Sequence, residues 1–188
     1  LNKKSNSGEI IQINPKFVAE KIEKNEERKF ENLTHSIDEK GNETFSNNSR
    51  TLTVQKLFDE FLIRLDGNLY CSIKNENALN NTSIKVFYSE KTKNWCVLTS
   101  EGNGALIIPS KGSIKISLEK QINLESVAFY NDRLYIPEDK KLVILEIITK
   151  ITKQMECNLI TADSKIFDVN KQGFFVNTET NIYNVHQI

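Results

Sequence analysis

From about residue 61 onward the chain alternates short apolar runs with polar turns, the pattern of a hairpin-rich β protein. The stretch LIIPSKGSIKI, residues 106–116, shows the plan. An apolar run is followed by a polar turn, and then Ile114 and Ile116 alternate with Lys115 and Ser117. Such alternation puts the apolar side chains on one face of a strand. LYIPEDKKLVI, residues 134–144, repeats the plan 28 residues later without a gap. A third copy runs through Phe174, Phe175 and Val176 and on to residues 181–185. In all three, an apolar residue (Leu106, Leu134, Phe174) precedes another (Ile114, Leu142, Ile182) by eight positions. Residues 69–73 followed by 83–87 read as a looser fourth copy, with NENALNN as an insertion in the connecting loop.

A further strand is expected ahead of each copy, at residues 61–65, 95–99, 127–130 and 165–169. The links that follow are Asp66-Gly67, Gly102-Asn103-Gly104, Asn131-Asp132 and residues 170–173. These residue types accept the positive φ of tight hairpin turns. The expected unit is therefore strand, Asn/Gly turn, strand, polar turn, strand. Meanders repeated at this period point to a β-propeller, because one small sheet cannot hide both faces and neighbouring sheets must cover it. SIKVFYSEKTKNW, residues 83–95, resembles the third strand and following turn of a WD40-type or kelch-type blade. The Gly-His and Trp-Asp signatures and the kelch double glycine are absent from the chain. Four units are few for a ring, so an incomplete propeller is expected, its remaining blades either lying outside this sequence or supplied by a partner. GEIIQI, residues 8–13, is expected to complete the last sheet. The alternative fold class is a β-sandwich or barrel.

Residues 1–60 read differently and are expected to form an appendage to the 61–188 repeat domain. Residues 17–33 are heavily charged, with Phe17, Val18, Ile22, Phe30 and Leu33 as a thin apolar stripe, which predicts a solvated helix. Residues 34–50 read as a mobile loop. Val54, Leu57, Phe58 and Phe61 lie at helical spacing and predict a short helix over 51–61.

Charge and composition narrow the function class. Lys plus Arg number 25 and Asp plus Glu 25, so no net field draws the chain to nucleic acid or anionic lipid. The longest apolar run is far too short to span a bilayer. The first residue is Leu and no signal-type apolar segment follows Lys3 and Lys4, so a fragment or processed chain is expected. Cys71, Cys96 and Cys157 sit far apart in apolar stretches and read as buried free thiols in a reducing compartment. An intracellular location, cytoplasm or nucleus, is expected. The abundance of Asn explains the sequons at Asn32, Asn42, Asn47, Asn80 and Asn81 without secretion.

No P-loop, GxSxG or HExxH motif occurs. Gly102-Asn103-Gly104 lacks the third glycine and helix of a dinucleotide site and reads as a turn. Glu138 and Asp139 read as a solvated turn beside Lys140 and Lys141. Asp163 and Asp168 lack a calcium-loop frame. Lys111, Lys115 and Lys120 form a mild basic stretch offset by Glu119 and Glu125. His35 and His186 have no companion at metal-ligand spacing. No catalytic, cofactor-binding or metal residue is assigned, and no cofactor is expected. Trp95, Phe87, Tyr88, Phe129, Tyr130, Tyr135, Phe174, Phe175 and Tyr183 are expected to be mostly core, and any exposed on a blade face would be an anchor for a partner. The expected function is a non-enzymatic protein–protein interaction scaffold within a larger complex. The alternatives are a non-catalytic subunit of an RNA-processing or RNA-modifying complex, needing a local basic face, and an enzyme whose site converges only in three dimensions. No membrane partner is expected.

Overall fold

Turn chemistry and period-two patterning build almost the whole fold. The structure, a computed structural model, describes residues 9–22, 33–75 and 82–188. Among these the chain is all β, with one short 3-10 turn at Leu124–Ser126 and no α-helix. The strands are β1 (Ile10–Asn14), β2 (Phe17–Ile22), β3 (Thr34–Ile37), β4 (Glu43–Ser46), β5 (Thr51–Lys56), β6 (Glu60–Leu65), β7 (Asn68–Lys74), β8 (Ile84–Tyr88) and β9 (Trp95–Thr99). They continue with β10 (Asn103–Ile108), β11 (Gly112–Ser117), β12 (Ala128–Tyr130), β13 (Arg133–Glu138), β14 (Lys141–Glu146), β15 (Ile151–Glu156), β16 (Lys165–Phe167), β17 (Gly173–Asn177) and β18 (Ile182–Gln187).

They form four antiparallel sheets, ordered β3-β4-β5-β6-β7, β8 to β11, β12 to β15, and β1-β2-β18-β17-β16. The chain divides into two compact units. One comprises Glu31–Leu124 and holds the first two sheets; the other joins Leu1–Phe30 to Glu125–Ile188 and holds the last two. The change of texture near residue 61 therefore falls inside a unit.

Each unit is sandwich-like, with one apolar core shared by its two sheets. In the Glu31–Leu124 unit, Phe45, Leu52, Val54, Phe61, Ile63, Leu65 and Ile73 of the first sheet meet Val86, Trp95, Val97, Ala105 and Ile107 of the second. In the other unit, Ala128, Tyr135 and Leu142 meet Ala19, Ile166, Phe174, Val176, Tyr183 and Val185, with Cys157 and Ile160 between strands. In β5 alternate residues supply the core, Leu52 and Val54 being buried and Thr51 and Thr53 only half-buried, whereas all five residues of β9 are buried.

The hairpin links behave as their residues dictate. Asp66 and Gly67 both take positive φ (52° and 84°), as do Asn131 and Asp132 (50° and 62°). Each pair forms a two-residue loop closed by Leu65 opposite Asn68 or by Tyr130 opposite Arg133. The three closest sequence copies each lie in a single sheet, as β9-β10-β11, β12-β13-β14 and β16-β17-β18. Their ladders nevertheless differ. Leu106 faces Ile114, but Leu134 faces Leu145 and Phe174 faces Val185. The eight-residue step is thus a ladder pair only in the first copy; the other two share an eleven-residue pairing, although their loops (residues 139–140 and 178–181) differ in length. Pro137 lies within β13 opposite Leu142, beyond the last β12–β13 pair at Tyr135, where one side of the strand has no ladder to break.

Four expectations are corrected. Residues 17–22 are strand β2, not helix; their apolar stripe is thin, and pairing with β18 buries Ala19 completely. Residues 23–32 of the same expected helix lie outside the described residues. Residues 34–50 are not a loop but contain β3 and β4. Residues 51–61 are not a helix: β5 and the start of β6 meet at a turn, where the Leu57 N–H donates to the Glu60 carbonyl. The loosest repeat copy is also split. β8 pairs with β9 and opens the second sheet, so residues 83–87 are not the third strand after β6 and β7. Most of the NENALNN insertion lies outside the described residues.

The N-terminal strand does join the last sheet, though indirectly. β2 pairs with β18, and β1 pairs with β2 as the outer strand.

Candidate functional site

The chemistry concentrates at one end of the five-stranded sheet in the Glu31–Leu124 unit. Two hairpin tips lie side by side there, that of β3–β4 (residues 38–42) and that of β5–β6 (residues 57–59). The Lys56 backbone N–H donates to Asn42 Oδ1 at 2.8 Å and ties the tips together. The Asn75 N–H donates to the Asp59 carbonyl and fixes the end of β7 beside them. Asp38 holds its own tip, accepting from the backbone N–H of Lys40 and of Asn42, each at 2.9 Å, and from Asn42 Nδ2. Desolvation pushes the Asp38 carboxyl up, but the hydrogen bonds from Asn42 and Lys40 outweigh it, and the group lies below the usual carboxylate range.

Just inside this end lies an ion network. Glu43 is buried, and both its oxygens are engaged. Oε1 accepts from His35 Nε2 at 2.7 Å and Oε2 from Lys56 Nζ at 2.8 Å. The His35 ring stacks on Phe45 with centroids 4.3 Å apart. A buried carboxylate needs such partners, because an unpaired one is too costly to desolvate. With both oxygens taken, Glu43 is placed to hold strands together rather than to accept a substrate proton.

Glu43 and Lys56 also line a cleft of about 420 Å³. Leu57, Phe61 and Ile84 form its apolar wall, and Asn75, Thr82 and Ser83 its polar side. The apolar wall continues outward onto the tips. Phe58 is 73% exposed, Ile37 62% and Leu57 40%. Phe58 stands out among the aromatics. Those singled out in the sequence are buried or half-buried: Trp95 is fully buried, Phe87, Tyr135, Phe174 and Tyr183 are nearly so, and Tyr88, Phe129, Tyr130 and Phe175 are half-buried. The exposed aromatic is thus one that the helical spacing of residues 54–61 had placed on a helix face. Its signal in the sequence was the alternation Thr51-Leu52-Thr53-Val54-Gln55-Lys56, which ends at Leu57-Phe58-Asp59.

The other sequence candidates prove to be local structure. Gly102 has φ of 90°, and a Cβ there would meet the Lys120 carbonyl oxygen at 2.3 Å, so this glycine serves a tight backbone approach. Glu138 pairs with Lys141 across the two-residue turn at 3.5 Å. Asp163 lies in a turn, and Asp168 has φ of 48° just after β16. Among the described residues no three His, Cys, Asp or Glu side chains converge as metal ligands. Burial pushes the Cys71 and Cys157 thiols up, and Cys96 is fully buried, so the three cysteines are structural in character. No described helix is long and apolar enough to cross a membrane. No family model, curated protein or solved structure matches the chain.

Proposed function

We propose that this chain is a non-catalytic protein–protein interaction domain, docking a partner at the tip end of the β3–β7 sheet. One observation carries the reading: Phe58, with Ile37 and Leu57, stands exposed on two mutually braced hairpin tips beside an apolar-walled cleft. A large aromatic on a rigid frame loses little conformational entropy on binding and is the usual anchor of an interface. The nearby acids Asp38, Glu39 and Asp59 are exposed and would repel a phosphate backbone, which favours protein over RNA at this site. The repeated meanders, and an N-terminal hairpin that completes the last sheet, support a propeller-type architecture, and the scaffold role then follows by analogy with such folds.

The test is quantitative capture from an extract of the source cells. It uses the full chain, Phe58→Ser, and a control, Ile151→Ser, on the exposed strand β15. Phe58 makes little buried contact, so its replacement should change stability by less than about 0.5 kcal/mol. A stoichiometric companion lost with Phe58→Ser and kept with Ile151→Ser is the expected outcome. A companion held equally by all three chains would overturn the reading.

A further inference from the structure

The charges around Phe58 indicate what kind of segment it would receive. The two tips carry Asp38, Glu39 and Asp59 as exposed acids and Lys40 as an exposed base, three negative charges against one positive. Other basic residues described at this end of the sheet have acidic neighbours. Lys56 and His35 both bond Glu43, and Lys74 lies opposite Glu60 in the β6–β7 ladder. Asp38 is held in its turn by three donated hydrogen bonds, so its exposed charge stays at the tip. Exposed apolar residues, Ile37 beside one tip and Leu57 and Phe58 on the other, thus stand among exposed acids.

We propose that the occupant is a protein segment bearing a bulky apolar side chain flanked by lysine or arginine. This rests on the docking reading above. The apolar side chain covers Phe58 and enters the cleft along Leu57, while the flanking cations lie over Glu39 and Asp59. Interface centres are apolar and their rims polar, and complementary rim charge selects among partners with similar apolar content. An acidic segment would meet three like charges on the rim and is disfavoured.

Two synthetic peptides test this, both with a central leucine and phenylalanine, one flanked by lysines and the other by glutamates. Each is titrated into the isotope-labelled full chain while the backbone amides of residues 38–42 and 57–60 are followed by NMR. The lysine peptide is expected to shift these amides and to bind about tenfold more tightly than the glutamate peptide, as two or three rim ion pairs would give. Added salt should shrink that ratio, and the double variant Glu39→Lys, Asp59→Lys should reverse it. Equal binding of the two peptides at these amides would leave docking standing and overturn the charge preference. Tighter binding of the glutamate peptide would do the same. No shift with either peptide at millimolar concentration, or shifts confined to other strands, would overturn both readings.

Discussion

Tyr70 and Ser110 show how single residues join the sheets of one unit. Ser110 lies in the turn after β10 with φ of 67°, and its N–H donates to the Tyr70 hydroxyl on β7 at 2.9 Å. The polar turn of the first repeat copy is thus held by a neighbouring sheet, a contact that no local pattern could announce. Tyr70→Phe removes this bond and leaves the ring, so it should cost about 0.5–1 kcal/mol in chemical denaturation and shift the Ser110 amide resonance. Phe58 makes the same point for function. Its neighbours in sequence allowed a helix face, and only the turn between β5 and β6 exposes it. Where a residue's role depends on a tight turn, the signals were legible: Asp66-Gly67 and Asn131-Asp132 adopt the left-handed conformations that their side chains tolerate.

At the scale of elements, pairing overrides weak local preference. β2 carries a thin apolar stripe, yet it forms a strand because β18 offers a free edge and the core offers a place for Ala19. Ala19 faces Ile11 on one side and Val185 on the other and has no exposed surface. Ala19→Leu therefore overpacks this seam, and a loss of about 1–3 kcal/mol is expected in thermal or denaturant unfolding. The same substitution at the exposed Thr34 should be nearly silent. The repeat copies show a second limit on pattern reading. Strand order within each copy was legible, whereas register was not: Leu106 pairs eight residues on, at Ile114, while Leu134 and Phe174 pair eleven residues on, at Leu145 and Val185. β8 was assigned to the wrong sheet because a long polar insertion reads alike whether it closes a hairpin or crosses between sheets.

At the scale of the molecule, the two units differ in how the chain builds them. The Glu31–Leu124 unit is continuous, and among the described residues its nine strands pair only with one another. Expressed alone, residues 31–124 should fold cooperatively, with dispersed amide resonances and a single unfolding transition. The other unit needs both chain ends, because β1 and β2 cover the edge of β18 and bring Ala19, Ile11, Ile13 and Phe17 to its core. Residues 125–188 alone should therefore lack a stable fold, with poor dispersion and no cooperative transition. A cooperative transition in that fragment would show that the N-terminal hairpin is dispensable.

The sequence by itself determined the all-β class from residue 61 onward, the order of three consecutive strands in each of three sheets and the tight turns. These features depend on period-two burial and on backbone freedom at Asn, Asp and Gly, which are local. Tertiary structure decided the rest: that residues 17–22, 34–37, 43–46 and 51–56 are strands, that β8 opens a sheet, that Glu43 gathers His35 and Lys56, and that Phe58 is exposed beside a cleft. Each depends on which edge or side chain lies across from a residue. That is fixed by long-range pairing and burial, which sequence spacing does not encode.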